Sequence, residues 1–233
     1  MPQLATPDAG TVALGRPPSN GNGREKSGSV PGDARAFGAG AARAAGPDLP
    51  RIERAVREIL AALGEDPDRD GLAETPARVA RAYGEICGGL WQEAGTHLAR
   101  TFEHAGEGDV VTLRNVEFFS LCEHHLLPFK GHVHVAYLPG PDRVVGLSKL
   151  ARTVEVFARR PQLQERLTAQ IADALVEHLD PRGVTVVAQA EHMCMQMRGV
   201  GKTEPVMTTA AHRGVCRWEP ATRVEVLRLL GID

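Results

Sequence analysis

Two short clusters, Cys122-Glu123-His124-His125 and His192-Met193-Cys194, lie about seventy residues apart in this chain. Thiolate sulfur and imidazole nitrogen are ligands that zinc takes readily, and three protein ligands leave a fourth position for water. If both clusters serve one ion, the fold must carry two distant segments to a single point. The first cluster offers Cys122 and His125, three apart, with His124 between them. The second offers His192 and Cys194, two apart, a spacing that puts both on one face of a strand. Two arrangements satisfy this spacing. Both residues face one metal, or one binds while the other works on substrate. Four bound ligands would make a closed, structural site; three would leave an open, catalytic one.

The remaining composition narrows the class. Of 233 residues 42% are hydrophobic, enough for a globular core, and a formal charge of -2 leaves no basic excess to hold a nucleic-acid backbone. Any anion site must then be a local cluster. No apolar run approaches the roughly 18 residues of a membrane span, and the N-terminus lacks the apolar core of a secretion signal. The four cysteines, Cys87, Cys122, Cys194 and Cys216, form no disulfide-like framework. Cysteine beside histidine in a cytoplasmic chain reads as metal or catalysis. Cys87 and Cys216 read as small core residues.

Residues 1–47 are rich in Gly, Ala, Pro and Ser without period, and read as a disordered tail. A helical region is expected over 48–108. Ile52, Val56, Ile59 and Leu63 recur at helical spacing up to Gly64, and Thr75-Pro76 opens a second helix that Gly88-Gly89 stops. The catalytic domain is expected over 109–233. Val110–Leu113, Val116–Phe119 and His132–Leu138 read as strand, and Val144-Val145 as a short one. A helix from Ser148 to about Arg160 follows, then another from Pro161 with Leu163, Leu167, Ile171, Leu175 and Leu179 every four residues. Val184–Arg198 reads as the longest strand, with Val206–Ala211 beside it and a closing helix over Glu219–Leu230. The order implies an α+β fold with a largely antiparallel sheet. Such a sheet has two open edges, and pairing with a neighbouring subunit is one way to cover them.

Parity along the long strand puts His192, Cys194, Gln196 and Arg198 on one face, with Met193, Met195 and Met197 as a core stripe on the other. Ser148 reads as an N-cap, where free amides and the helix dipole favour an anion. Lys149 and Arg152, three apart, share that polar face. With Arg198 they make a phosphate site. Gln164 and Glu165 lie in the first turn of the next helix, where a carboxylate can accept two hydrogen bonds from a guanine edge. The other histidines, His97, His104, His132, His134, His178 and His212, read as ordinary.

Five stretches together resemble GTP cyclohydrolase I: Asp70-Gly71-Leu72-Ala73-Glu74-Thr75-Pro76, Cys122-Glu123-His124-His125-Leu126-Leu127-Pro128-Phe129, Val145-Gly146-Leu147-Ser148-Lys149-Leu150-Ala151-Arg152, Gln162-Leu163-Gln164-Glu165-Arg166-Leu167-Thr168, and Glu191-His192-Met193-Cys194-Met195-Gln196-Met197-Arg198-Gly199. The resemblance covers about residues 50–232. It implies a tunnelling fold, in which antiparallel sheets from several subunits join into a barrel, and a homodecamer of two stacked pentamers with active sites between subunits. It implies Cys122, His125 and Cys194 as zinc ligands and His124 and His192 as the catalytic pair that moves protons. Glu165 with Gln164 would bind guanine, and Ser148, Lys149, Arg152 and Arg198 the triphosphate. The implied reaction opens the GTP purine ring at C8, releases formate and yields 7,8-dihydroneopterin triphosphate.

The chain departs from the family pattern after Gly199-Val200. Gly201 stands where a basic residue is frequent, and Thr203-Glu204-Pro205-Val206-Met207 replaces much of a Ser/Thr-rich stretch. Two rival readings differ in class. A closed structural zinc site would bind Cys122, His125, His192 and Cys194, but has no need of Lys149, Arg152 and Arg198. Another tunnelling-fold enzyme acting on a pterin or deazaguanine would carry three histidine ligands or a metal-free Cys nucleophile, and the Cys/His/Cys set fits neither.

Overall fold

The computed structural model describes residues 46–103, 109–141 and 143–232. The expected tail therefore lies outside the described residues except for its last two positions, and so does His104. Helix α1 (Leu49–Ala62) begins where the Asp48 side chain accepts from the Arg51 amide, and it packs along α2 (Thr75–Ile86). Its first turn takes Pro50 without loss, since that amide has no partner in a helix. The cap of α2 is Glu74 rather than Thr75, whose hydroxyl donates instead to the Gly71 carbonyl. A 3-10 turn at Gly88–Trp91 and the short α3 (Ala94–Leu98) lead into β1 (Thr101–Glu103).

The sheet is built from β2 (Val111–Cys122) and β3 (Pro128–Leu138), a hairpin, followed later by β6 (Gly183–His192) and β7 (Met207–Gly214). Each of these four strands is antiparallel to its neighbours, in the order β2-β3-β6-β7. The strand β4 (Arg143–Val145) leaves this sheet and pairs with β1. Helix α4 (Leu147–Ala158) follows. The two-residue β5 (Pro161–Gln162) then runs parallel to the end of β2, and α5 (Gln164–Leu179) begins only after it. Pro161 thus opens a strand, not the helix: its missing amide is harmless on an edge strand. Short turns α6 (Met193–Gln196) and α7 (Val215–Trp218) and a closing α8 (Pro220–Leu230) complete the described chain.

The periods read from sequence explain the packing. Leu167, Ile171, Leu175 and Leu179 of α5, with Leu150 and Val154 of α4, cover one sheet face bearing Phe118, Phe129, Val133, Val135, Val184, Val186 and Ala188. The opposite face carries a smaller cluster, Ala136, Leu138 and Val187 against Cys216, Val226 and Leu230. Cys87 and Cys216 are buried, as small hydrophobes are. The strand β2 slips register between Leu113 and Val116, where Asn115 takes a φ of 57°. This is a bulge that twists the strand.

Strands β3 and β6 approach so closely that only glycine fits at position 131. A Cβ there would stand 1.9 Å from the Gln189 carbonyl oxygen and 2.7 Å from the Ala190 Cα. Both are backbone atoms of β6, a strand bonded on both sides, so neither can swing away. Gly131→Ala is expected to destabilise the fold by about 1–3 kcal/mol, read as a lower urea midpoint at unchanged slope. An unchanged midpoint would show that the two strands part without cost.

Candidate metal centre and active site

The sheet register builds the site. Ser120 pairs with Phe129 across the hairpin, and Phe129 pairs with His192 across the next ladder. Strands β2 and β6 run in the same direction on either side of β3. Cys122 and Cys194 each lie two residues beyond this row at the same end of the sheet, Cys122 as the last residue of β2 and Cys194 outside β6. Neighbouring strands are about 4.8 Å apart, which would leave β2 and β6 roughly 10 Å apart. Chain that leaves the sheet must close that gap.

It does so on both sides. The five residues after Cys122 form a tight turn: the Leu126 amide donates to Cys122 O at 2.8 Å and the Cys122 amide to Leu127 O at 2.8 Å, with Leu126 at φ 53°. On the other side β6 does not run on to Arg198. It stops at His192, because Phe129 is the last residue of β3 with a partner there and β7 pairs no further than Ala190. Without a ladder partner the chain turns helical at Met193–Gln196. The parity expected beyond His192 is therefore lost. Met195 and Met197 are exposed rather than a core stripe, and His192 and Cys194 point different ways.

The turn brings Cys122, His125 and Cys194 together, with one ligand atom from each lying within 4.8 Å of the others. His192 is outside this group. Its Nε2 lies 2.8 Å from Gln164 Oε1, and its ring stacks on Phe129 at 4.6 Å and 3°. The donor set suits a soft divalent cation. Burial, and then the neighbouring Cys122 thiol, hold the Cys194 thiol above its ordinary value. A cation would offset the repulsion of two adjacent thiolates, and three ligands leave it a position open. His124 is exposed beside His125, their rings 6.2 Å apart and near perpendicular.

Other expected site residues surround this group. Arg198 is exposed, and its Nη1 stands 3.1 Å from His125 Nε2, much nearer the Cys122/His125/Cys194 group than an extended strand would place it. Ser148 is not the N-cap of α4. Gly146 takes that place with φ -66° and ψ 140°, so Ser148 lies in the first turn. No side chain caps this end. The Lys149 amide donates to Gly146 O at 2.8 Å, so an anion would take the Leu147 and Ser148 amides; Ser148 and Arg152 are exposed and Lys149 half-buried. Sequence reading missed one neighbour here: burial first, then the charges of Arg152 and Lys149, lower the pKa of His97. Its position on α3, which packs on α4, gave no local signal.

The first turn of α5 splits two adjacent residues. Gln164 is 1% exposed and points inward, whereas Glu165 is exposed on the wall of an open cleft lined also by Thr209, Ala211, Arg213 and Arg217. Glu165 is also close enough to His192 to oppose the pKa lowering that burial imposes on that imidazole. Sequence reading passed over Glu123, which pairs with Arg166, while Arg166 Nε donates to Gln162 Oε1 at 2.9 Å. The Glu123 amide also donates to Gln162 O at 3.0 Å. This set of bonds straps the ligand turn to the start of α5.

Comparison with known proteins follows the same outline. The family model described as GTP cyclohydrolase I matches residues 52–231. A curated relative, "GTP cyclohydrolase 1" of Thermobifida fusca (strain YX), is 57% identical over 187 residues, 80% of this chain and 90% of its own. Its namesake in Carboxydothermus hydrogenoformans is 56% identical over 184 residues, 79% of this chain and 95% of that one. That of Streptomyces coelicolor is 57% identical over 184 residues, 78% and 90% of the two chains.

Proposed function

The chain belongs to the GTP cyclohydrolase I family, and from that premise we propose that it hydrolyses the purine ring of GTP at C8, releases formate and forms 7,8-dihydroneopterin triphosphate. The observation that carries the reading is the Cys122/His125/Cys194 group with His192 held beside it but outside it. A site with three protein ligands and a spare imidazole is built for hydrolysis rather than for structure.

Zinc is the ion these ligands fit, and when bound it supplies a Lewis acid and an acidified water at neutral pH. The remaining work falls to the chain. Exposed His124 and clamped His192 are the two groups that accept and donate protons. Protonating purine N7 makes C8 more electrophilic, and imidazole suits that exchange near neutral pH. Glu165 accepts hydrogen bonds from the guanine edge in the cleft beside β7. The open N-terminus of α4, with Ser148, Lys149 and Arg152, binds the triphosphate together with Arg198. The strap from Glu123 to Arg166 keeps the ligand turn against the helix that carries Glu165.

The active unit in this reading is a homodecamer of two stacked pentamers, with the sheets joined into a tunnelling-fold barrel and each active site completed by a neighbour. Three observations support it. In the described chain β7 has no partner on its outer side, and β2 pairs with β5 only at Leu121 and Cys122. Phe119, Leu126, Met197 and Val206 are exposed apolar side chains close in sequence to the site. The anion cluster sits on α4, a different element from those holding the metal group. No described helix is long and apolar enough to cross a membrane.

The test uses protein with its metal quantified, incubated with GTP with and without a chelator. Formate release and the fluorescence of the oxidised neopterin product are followed together. Both products are expected, both lost on chelation and both restored by zinc. Neither product from folded, zinc-loaded oligomer would overturn the reading.

A further inference from the structure

Gln164 is buried at the heart of a closed hydrogen-bond circuit. Its Nε2 donates to Ala188 O at 2.9 Å and Met207 O at 2.9 Å, with Thr209 Oγ1 at 3.2 Å. Two of these three are backbone carbonyls, which only accept, so the nitrogen of the amide must face them. The amide oxygen is thereby aimed at His192. The hydroxyls agree: Thr168 Oγ1 donates to Gln164 O at 2.8 Å, so at the 2.7 Å contact with Thr209 Oγ1 the Thr209 hydroxyl donates. Thr209 Oγ1 is then left as an acceptor that shares one of the two Gln164 Nε2 hydrogens.

One consequence concerns His192. An amide oxygen cannot donate, so His192 Nε2 must carry the hydrogen in its 2.8 Å bond to Gln164 Oε1. Nδ1 is then the ring nitrogen left to exchange a proton with substrate. The parallel face of Phe129, 4.6 Å away, fixes the ring plane. Gln164 has no exposed donor to offer guanine, whereas Glu165, the next residue, faces the cleft.

We propose that Gln164 is a positioning residue, whose amide oxygen holds the imidazole of His192 in the Nε2–H tautomer and at a fixed angle for proton transfer through Nδ1. The proposal rests on the reading of His192 as a proton-moving group. It separates Gln164 from Glu165, which alone of the two contacts substrate.

Gln164→Met keeps the volume and removes the acceptor. Turnover is expected to fall about 100-fold, the cost of a misplaced reacting group, while KM for GTP stays within about 2-fold and zinc content is unchanged. Magic-angle-spinning spectra of zinc-loaded protein carrying nitrogen-15 histidine, with the His192 signal assigned by its loss in His192→Ala, should show Nε2–H in the wild type. An Nδ1–H wild-type tautomer overturns the proposal even if the Met variant fails to fold. So does a raised KM at unchanged turnover in that variant, which would make Gln164 a substrate contact. Full turnover in His192→Ala would instead remove the role of His192 itself, an outcome distinct from either of these.

Discussion

Cys194→Ala is expected to strip the metal and reduce formate release to background. Cys194 belongs to the group of three residues whose donor atoms lie within 4.8 Å of one another and could hold the ion, and alanine offers no donor. Loss of an outer partner of a ligand already costs about 10- to 100-fold in metal affinity, and loss of a ligand itself costs more. The fold should survive, because Cys194 lies on the exposed turn after β6 and packs only at the margin of the main core. Metal content per chain, circular dichroism and GTP turnover, taken on one preparation, check this. A variant that keeps a full metal complement and its turnover would show that Cys194 is not a ligand.

His192→Ala is expected to have the opposite signature: metal retained, turnover lost. In the fold His192 bonds Gln164 and stacks on Phe129, and it contributes no atom to the Cys122/His125/Cys194 group. Removal of a general acid or base costs about 10²- to 10⁴-fold in rate. A secondary cost falls on stability, since the buried Gln164 oxygen loses its only donor in the circuit. An unsatisfied buried acceptor costs about 1–3 kcal/mol, which lowers the unfolding midpoint without emptying the metal site. A closed, structural site with four ligands predicts the reverse, loss of metal together with folding. Measured metal content of the purified variant therefore decides between an enzyme and a structural zinc protein.

The two variants probe residues only two apart, and their contrast comes from a local change that sequence reading missed. Alternating residues from Val184 onward read as an uninterrupted strand through Arg198. The alternation is real, but a strand also needs a neighbour to bond, and the ladder ends at the pair Phe129 and His192. The same reasoning covers the start of α4. Ser148 has the chemistry of a cap, yet Gly146 holds the extended backbone that a cap requires. Where burial sets the pattern, sequence was a better guide. The four-residue spacing of Leu167, Ile171, Leu175 and Leu179 reads directly as the buried side of α5, because helical period alone decides which side chains meet the sheet.

By itself the sequence determined the chemistry available: two thiols and adjacent imidazoles for one ion, a basic pair at a helix start, and periods that demand an α+β core. These follow from residue type and local spacing, which survive any arrangement of the elements. Only the tertiary structure decided who meets whom. It put His125 rather than His192 with the two sulfurs, turned Gln164 inward and Glu165 outward, and brought Arg198 to the ligand turn. Each of these depends on where a neighbouring strand ends or which amide faces a carbonyl. Those are pairings between segments far apart in the chain, and no local pattern records them.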